Sequence, residues 1–91
     1  MFFLHYTGAF TKDVKRIKKR GYNTQLLSEA LFYFESDGIV PPKFKPHKLS
    51  GNYSDCWECH LKPDWLLIWR KDEMQKEIQL VRTGTHSDLF K

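Results

Sequence analysis

The run Trp-Leu-Leu-Ile-Trp at residues 65–69 constrains the fold of this chain more than any other segment. Five consecutive apolar residues are too short a run for a typical helix, and turn-forming or polar residues flank them on both sides. Pro63 and Asp64 come before the run, and the polar stretch 70–75 follows it. Such a run is typical of an inner strand. The sequence therefore predicts a sheet whose central strand is covered on both faces.

Two further strands are predicted beside this central one. Residues 53–61 alternate between two faces of a strand, with Trp57, Cys59 and Leu61 on one face and Cys56, Glu58 and His60 on the other. A two-residue turn at Lys62-Pro63 would place His60 opposite Trp65 and close to Asp64. Residues 76–83 carry Ile78 and Leu80 on one face, which predicts a third strand. The second half of the chain is therefore expected to form a three-stranded meander.

The first half of the chain is expected to supply one strand and two helices. Residues 2–6 are a short apolar and aromatic run, as in a strand. Apolar residues recur at helical spacing in residues 8–20 and again in residues 24–35. Gly21 and Gly38 stand just after these stretches, where glycine commonly ends a helix.

The connecting segments complete the expected topology. Residues 39–52 contain three prolines and are predicted to form a loop. Gly84 ends the third strand, and Thr85 with Asp88 has the spacing of a capping box, which predicts one short terminal helical turn. The order is β-α-α-β-β-β in a single domain over residues 1–91. The expected class is α+β, with two helices packed on one face of a mainly antiparallel sheet.

The basic charge of the chain is concentrated in the first predicted helix. The chain has 15 Lys and Arg against 11 Asp and Glu, a formal net charge of +4. Six of these cations lie within residues 12–20, opposed only by Asp13; they are Lys12, Lys15, Arg16, Lys18, Lys19 and Arg20. Such a run is either an ordinary solvated helix face or a surface that attracts phosphate groups, and the charges alone leave both open.

Several classes of protein are excluded by composition. No apolar run approaches the roughly 18–20 residues that a membrane span needs, and no secretory signal is evident, so the expected location is the cytoplasm. Cys56, Cys59 and His60 match the spacing of haem attachment, but a strand would place the two thiols on opposite faces. A single Cys-x-x-Cys also lacks the remaining ligands of a zinc site. We therefore expect buried thiols, no metal and no cofactor.

Three histidines, a carboxylate and an arginine suggest chemistry on RNA. His47, His60, Asp64, Arg82 and His86 all stand at expected strand ends or in loops. Metal-free RNA cleavage needs a base for a ribose 2′-OH, an acid for the leaving 5′-oxygen, and a fixed cation near the phosphorus. Histidine can serve as either acid or base near neutral pH. Each histidine alone would more simply be a surface or loop residue.

Three segments at these residues resemble a known toxin family. They are residues 59–69 (CHLKPDWLLIW), residues 82–90 (RTGTHSDLF) and residues 47–51 (HKLSG). All three are similar to motifs of the YafQ-like branch of the RelE/ParE toxin superfamily. The basic first helix also resembles that of family members. One departure is Trp57, since relatives usually carry an arginine at that position.

The resemblance implies a fold and a function. The fold would be the small RelE-like domain, with a curved sheet. The activity would be metal-independent endoribonuclease cleavage of mRNA in the ribosomal A site, through attack by the 2′-OH. The partner would be a cognate antitoxin protein. The residues implied as catalytic are His47, His60, Asp64, Arg82 and His86. Those implied as substrate-binding are Trp65, Phe90, Lys12, Lys15, Arg16 and Lys19.

One alternative function stays open at this point. The same fold could serve a ParE-like toxin or another small basic binding module without nuclease chemistry. Such a protein would have no need for His60, Asp64, Arg82 and His86 together. The histidine and carboxylate set therefore favours the nuclease.

Overall fold

The computed structural model describes residues 1–90, in which five strands form one sheet and three α-helices flank it. The elements are β1 (Phe3–Tyr6), α1 (Gly8–Lys19), α2 (Thr24–Asp37), β2 (His47–Lys48), β3 (Trp57–Lys62), β4 (Trp65–Asp72), β5 (Glu77–Gly84) and α3 (His86–Leu89). The strand order is β1-β5-β4-β3-β2. β1 runs parallel to β5, and the other neighbouring pairs are antiparallel. The predicted α+β class with a mainly antiparallel sheet is confirmed.

The apolar run 65–69 is the centre of the sheet, as predicted. It belongs to β4, which lies between β3 and β5. Trp65, Leu67 and Trp69 pack into the cluster that contains the buried residues of α1 and α2. Leu66 and Ile68 pack on the opposite face, against a cluster that includes the α3 side chain of Leu89. The sheet therefore has two long helices on one face and a smaller apolar layer on the other.

The ends of α1 and α2 follow ordinary capping chemistry. The Thr7 hydroxyl accepts a hydrogen bond from the Phe10 N–H at 3.0 Å, and Asn23 caps α2 in the same way. Gly21 has a φ of 79° and Gly38 a φ of 71°, a conformation that favours glycine. Gly38 also lies against the ring of Phe2, so an added Cβ would clash with that ring. The second helix extends two residues beyond the expected end at residue 35.

The predicted loop 39–52 contains a strand that the sequence analysis missed. His47 and Lys48 form β2 and pair with Glu58 and Trp57 of β3. A two-residue strand is too short to show a periodic pattern, so the sequence carries no signal for it. The strand predicted over residues 53–61 begins only at Trp57, because residues 51–53 form a 3-10 turn.

The predicted turn at Lys62-Pro63 is wrong by one residue. Lys62 pairs with Trp65, so Pro63 and Asp64 are the two turn residues. His60 therefore lies opposite Leu66 rather than Trp65, and the ladder is irregular between His60 and Lys62. Proline has no N–H for the ladder and a fixed φ, which suits the first central position of a turn.

The fold bears on two classes of protein that the sequence excludes, those that attach haem and those that span a membrane. Cys56 and Cys59 are both fully buried free thiols, and they lie in the two apolar clusters on opposite faces of the sheet. Burial, as the larger cause, and the nearby charge of Glu58 raise the pKa of the Cys59 thiol to about 12. The two thiols therefore cannot both attach to the same haem.

None of the helices in residues 1–90 is long and apolar enough to cross a membrane.

Candidate active site

The polar residues of the candidate site share the sheet face opposite α1 and α2. Glu58 lies opposite Ile68 across β3 and β4, and Ile68 lies opposite Arg82 across β4 and β5. His47 of β2 extends this row, since it pairs with Glu58. Residues that oppose each other in an antiparallel ladder point to the same face. His60 follows Glu58 two positions along β3, so it also lies on this face.

Five rings form a continuous line over this face. The ring centroids are 6.3 Å apart for His47 and His60, and 6.1 Å for His60 and His86. The line continues from His86 to Phe90 at 6.2 Å and from Phe90 to Tyr53 at 5.7 Å. Phe90 is 43% exposed. The structure thus brings together the three histidines that the sequence placed far apart, and it places an accessible aromatic ring beside them.

Asp64 holds the His86 side chain in one orientation. The same carboxylate oxygen, Oδ1, accepts a hydrogen bond from the His86 backbone N–H at 2.9 Å and lies 2.6 Å from Nδ1. Asp64 is a residue of the β3–β4 turn, and His86 is the first residue of α3, so the contact joins two elements. The hydrogen bonds from the backbone and side chain of His86 hold the pKa of Asp64 below its usual value. Within residues 1–90, Nε2 of His86 has no hydrogen-bond partner.

Glu58 lies between the other two histidines. Its Oε1 is 3.0 Å from Nε2 of His47 and 3.6 Å from Nε2 of His60. The carboxylate is buried, whereas the side chain of His60 is 25% exposed. The Nδ1 atom of His60 lies 3.4 Å from the carbonyl oxygen of Pro63. Glu58 is absent from the site predicted from the sequence, although its place two residues before His60 on one strand face is a usable signal.

Arg82 is fixed by a buried carboxylate of α1. Its Nε and Nη2 donate to Asp13 at 2.7 and 3.1 Å. The Thr83 backbone N–H donates to the same carboxylate at 3.1 Å. Asp13 is only 2% exposed. The hydrogen bonds that Arg82 donates to the Asp13 carboxylate raise the pKa of Arg82.

Asp13 therefore serves as the anchor of the arginine. In the sequence it stood out only as the lone acid in a basic run, three residues after the core residue Phe10. Its negative charge offsets part of the charge of Arg82, the residue predicted as the fixed cation of the site.

The indole ring of Trp65 is buried in the core, and its predicted contact with substrate stays a prediction. Trp65 is 1% exposed, and its Nε1 donates to the Thr83 hydroxyl at 2.9 Å. That hydroxyl in turn donates to the Leu66 carbonyl oxygen. Trp65 therefore ties β4 to the end of β5 from inside the core. A continuous apolar strand is buried on both faces, which is why the ring points inward.

The cations of α1 do not form one uniform surface. Lys12, Lys15 and Lys19 are exposed and form no ion pair within residues 1–90. Lys15 borders a groove between α1 and α2. Arg16 is held 3.6 Å from both Asp13 and Asp88, so part of its charge is offset.

Within the described residues, no group of three or more His, Cys, Asp or Glu side chains is arranged to hold a metal ion.

Known proteins that resemble this chain share its fold. The family described as "Bacterial toxin of type II toxin-antitoxin system, YafQ" matches residues 3–91. The mRNA interferase toxin YafQ of Escherichia coli K12 is 32% identical over 88 residues, which are 96% of this chain and 94% of that protein. The fold and these matches define a toxin of a type II toxin–antitoxin system. The chain belongs to the YafQ family.

Solved structures of similar proteins extend over the whole chain. YafQ from Escherichia coli BL21(DE3) has a TM-score of 0.91 at 29% identity, with all of both chains covered. A toxin chain in an Escherichia coli DinJ–YafQ complex has a TM-score of 0.89 at 30% identity, also with complete coverage. A metal-bound toxin from Helicobacter pylori has a TM-score of 0.89 at 37% identity, covering 99% of this chain and 100% of that one.

Proposed function

We propose that this chain is an mRNA interferase, an endoribonuclease that acts as a toxin on mRNA in the ribosomal A site and is neutralised by a cognate antitoxin. The cytoplasm is the location that such a substrate implies. The observation that carries the proposal is the Asp64–His86 contact beside His60. It supplies a positioned imidazole with one free ring nitrogen, next to a second imidazole. A binding module without chemistry would not need this pair.

His86 is the general acid in this proposal. Asp64 engages Nδ1, which leaves Nε2 as the nitrogen that can deliver a proton. Attack of a ribose 2′-oxygen on phosphorus forms a new O–P bond and breaks the bond from phosphorus to the 5′-oxygen. The departing 5′-oxygen takes the proton from Nε2 and leaves as a 5′-OH, and the other product ends in a 2′,3′-cyclic phosphate. The Asp64 carboxylate stabilises the imidazolium before transfer.

His60 is the general base in this proposal. A hydrogen bond from its Nδ1 to the Pro63 carbonyl oxygen leaves the lone pair of Nε2 free to accept the 2′-OH proton. Glu58, 3.6 Å from Nε2, stabilises the positive charge that results. His47 shares Glu58 and holds that carboxylate in place. Asp64 is less suited to act as the base, because both hydrogen bonds from His86 favour its unprotonated form.

Arg82 and the exposed cations complete the proposal. Asp13 accepts from Nε and Nη2 of Arg82, and no carboxylate within residues 1–90 binds Nη1, which can donate to the phosphate in the transition state. Phe90 is an exposed ring beside His86 on which an RNA base can stack. Lys12, Lys15, Arg16 and Lys19 attract the RNA backbone.

Expression of the chain alone in a bacterial host tests this proposal. Induction is expected to stop growth and to produce new mRNA 5′ ends within translated reading frames. Co-expression of the protein encoded by the neighbouring gene, the candidate antitoxin, should restore growth. A His86→Ala chain, made at the same level, is the matched control and should be harmless. Normal growth with soluble, folded wild-type protein present would contradict the proposal.

A further inference from the structure

A cavity of about 540 Å³ lies beside the Asp64–His86 pair. The loop between α1 and α2 forms one wall, and the β3–β4 turn forms the other. Asp64 lines this cavity and also binds His86, so the cavity and the candidate active site share a residue. A volume of roughly 300–1,000 Å³ is usual for small-molecule sites, so one nucleobase fits. Nothing in the chemical step described above uses this space.

The walls of the cavity carry an aromatic ring that is held in place. Tyr22 is half-buried, and its ring meets the indole of Trp65 edge-on, with centroids 5.1 Å apart. Its backbone N–H donates to the Ile17 carbonyl oxygen at 3.3 Å. A ring that is already fixed loses little conformational entropy when a base stacks on it. Tyr22 is therefore a suitable platform for a flat aromatic ligand.

Two polar groups of the cavity remain available to a ligand. The Asn23 side-chain oxygen accepts a hydrogen bond from the Gln25 N–H at 3.1 Å, which leaves the amide NH₂ as a free donor. Lys62 is exposed, and no carboxylate within residues 1–90 forms an ion pair with it. A stacking ring, a hydrogen-bond donor and a cation are the groups that bind a nucleotide of single-stranded RNA.

We propose that this cavity binds the base of an mRNA nucleotide next to the scissile phosphate, and that it contributes to the sequence preference of cleavage. Tyr22 stacks on the base, the Asn23 amide donates to an acceptor on the base edge, and Lys62 contacts the adjoining phosphate. Because Asp64 lines the cavity and also binds His86, a nucleotide in the cavity lies next to the phosphate whose departing 5′-oxygen His86 protonates. The inference rests on the proposed nuclease function.

Asn23→Asp is the sharpest variant with which to test the cavity. Aspartate still accepts the hydrogen bond that caps α2, so the helix is retained, but the donor to the base is replaced by an acceptor. Single-turnover cleavage would be measured on ribosome-bound mRNAs in which each nucleotide flanking the cut is varied in turn. The expected result is a change of about 5- to 100-fold in the ratio of rates between bases at one position. Ser28→Asp, which adds the same charge on an exposed position of α2 outside the cavity, should leave the ratios unchanged.

Two further variants test the stacking ring and the phosphate contact separately. Tyr22→Leu removes the ring, and Lys62→Ala removes the cation. Loss of the ring should lower cleavage of all substrates that place a base in the cavity, by about 5- to 100-fold. Loss of the lysine should raise the KM and leave the base ratios unaltered. Lys62 is exposed, so this variant is expected to fold even if Tyr22→Leu does not.

The outcomes distinguish the cavity from the function on which it rests. An active wild type whose base ratios change by less than about twofold in Asn23→Asp overturns the cavity proposal and leaves the nuclease intact. His86→Ala should lower the rates for all bases alike. A folded wild type that cleaves no mRNA on translating ribosomes overturns both proposals.

Discussion

The carboxylate of Asp88 in α3 forms an ion pair with the guanidinium of Arg20 at the end of α1. The two groups form a bidentate pair, with Nη1–Oδ2 at 2.7 Å and Nη2–Oδ1 at 3.0 Å. The same carboxylate accepts the Thr85 N–H, while the Thr85 hydroxyl accepts the Asp88 N–H. His86 lies between Thr85 and Asp88 in this turn, so the basic helix helps to position the proposed acid.

Asp88→Asn should lower the stability of the protein at neutral pH. The hydrogen bond from Arg20 is the largest cause that holds the pKa of Asp88 well below its usual value. A carboxyl group whose pKa is lowered by folding stabilises the native state above its unfolded pKa of about 3.9. That contribution is lost as the pH falls toward the folded pKa. Because the Arg20 side chain is exposed to solvent, we expect a loss of about 0.5–1 kcal/mol in the free energy of unfolding at pH 7.

Urea unfolding at neutral and acidic pH would measure this effect. The difference between Asp88→Asn and the wild type should shrink steadily once the pH is below about 4. Asp55→Asn is the matched control, since Asp55 is exposed and has no ion pair within residues 1–90. A difference that is the same at both pH values would show that the charge of Asp88 is not responsible.

Arg82→Ala should unfold more easily as well as lose activity. The substitution removes both side-chain hydrogen bonds to the buried carboxylate of Asp13 and leaves the more distant Arg16, at 3.6 Å, as its remaining charged partner within residues 1–90. Removal of one partner from a buried pair typically costs about 3–5 kcal/mol. The double variant Asp13→Asn, Arg82→Ala should recover part of that stability without recovering cleavage. Additive losses in a double-mutant cycle would contradict the coupling.

The lysines on the outer surface of α1 should govern the salt dependence of RNA binding. Lys12→Ala with Lys19→Ala should make the plot of log affinity against log salt less steep, by roughly 0.7 for each lost phosphate contact. Binding would be followed with a short single-stranded RNA from low to moderate salt. Lys45→Ala with Lys76→Ala removes the same charge from loops elsewhere and is the control. Equal slopes for the two double variants would mean that the lysines of α1 form an ordinary solvated surface and do not contact RNA phosphates.

Most of the fold follows from the sequence because its signals are local. The apolar run 65–69, the two helical stripes and the Thr85 capping box each report a structure within a few residues. β2 was missed because two residues carry no periodicity. The turn at Pro63-Asp64 was placed one residue early because both registers give a short turn, and only the missing N–H of proline decides between them.

The candidate site is predicted less completely, because its contacts join distant parts of the chain. The resemblance of residues 82–90 to the toxin family drew attention to Arg82 and His86. It gave no hint that Asp13, 69 residues away, binds Arg82. The burial of Trp65 is not evident from the family motif, because a motif does not tell which face of a strand a ring occupies. The alternation of β3 places Glu58 on the face of His60, but only the pairing of β2 with β3 brings His47 to the same carboxylate.

Cleavage should continue when metal ions are chelated. In the proposed mechanism, the acid and the base are both imidazoles, and the charge on phosphorus is met by Arg82. Excess EDTA, with the ribosomes kept intact by a polyamine, should change the single-turnover rate by less than about twofold. If EDTA abolished cleavage and one added transition metal ion restored it, a different mechanism would be required.

The single-turnover rate of His86→Ala tests the central claim most directly. Wild-type and variant proteins would be mixed in excess with programmed ribosomes, and 5′-OH products would be counted over time. Removal of one positioned general acid typically costs about 10²–10⁴-fold in rate. The variant should keep its thermal unfolding temperature and still bind the antitoxin. The His86 side chain is exposed, and within residues 1–90 its one side-chain hydrogen bond is to Asp64. We predict a loss in that range, whereas a folded His86→Ala protein that cuts within about threefold of the wild type would contradict the assignment of His86 as the acid.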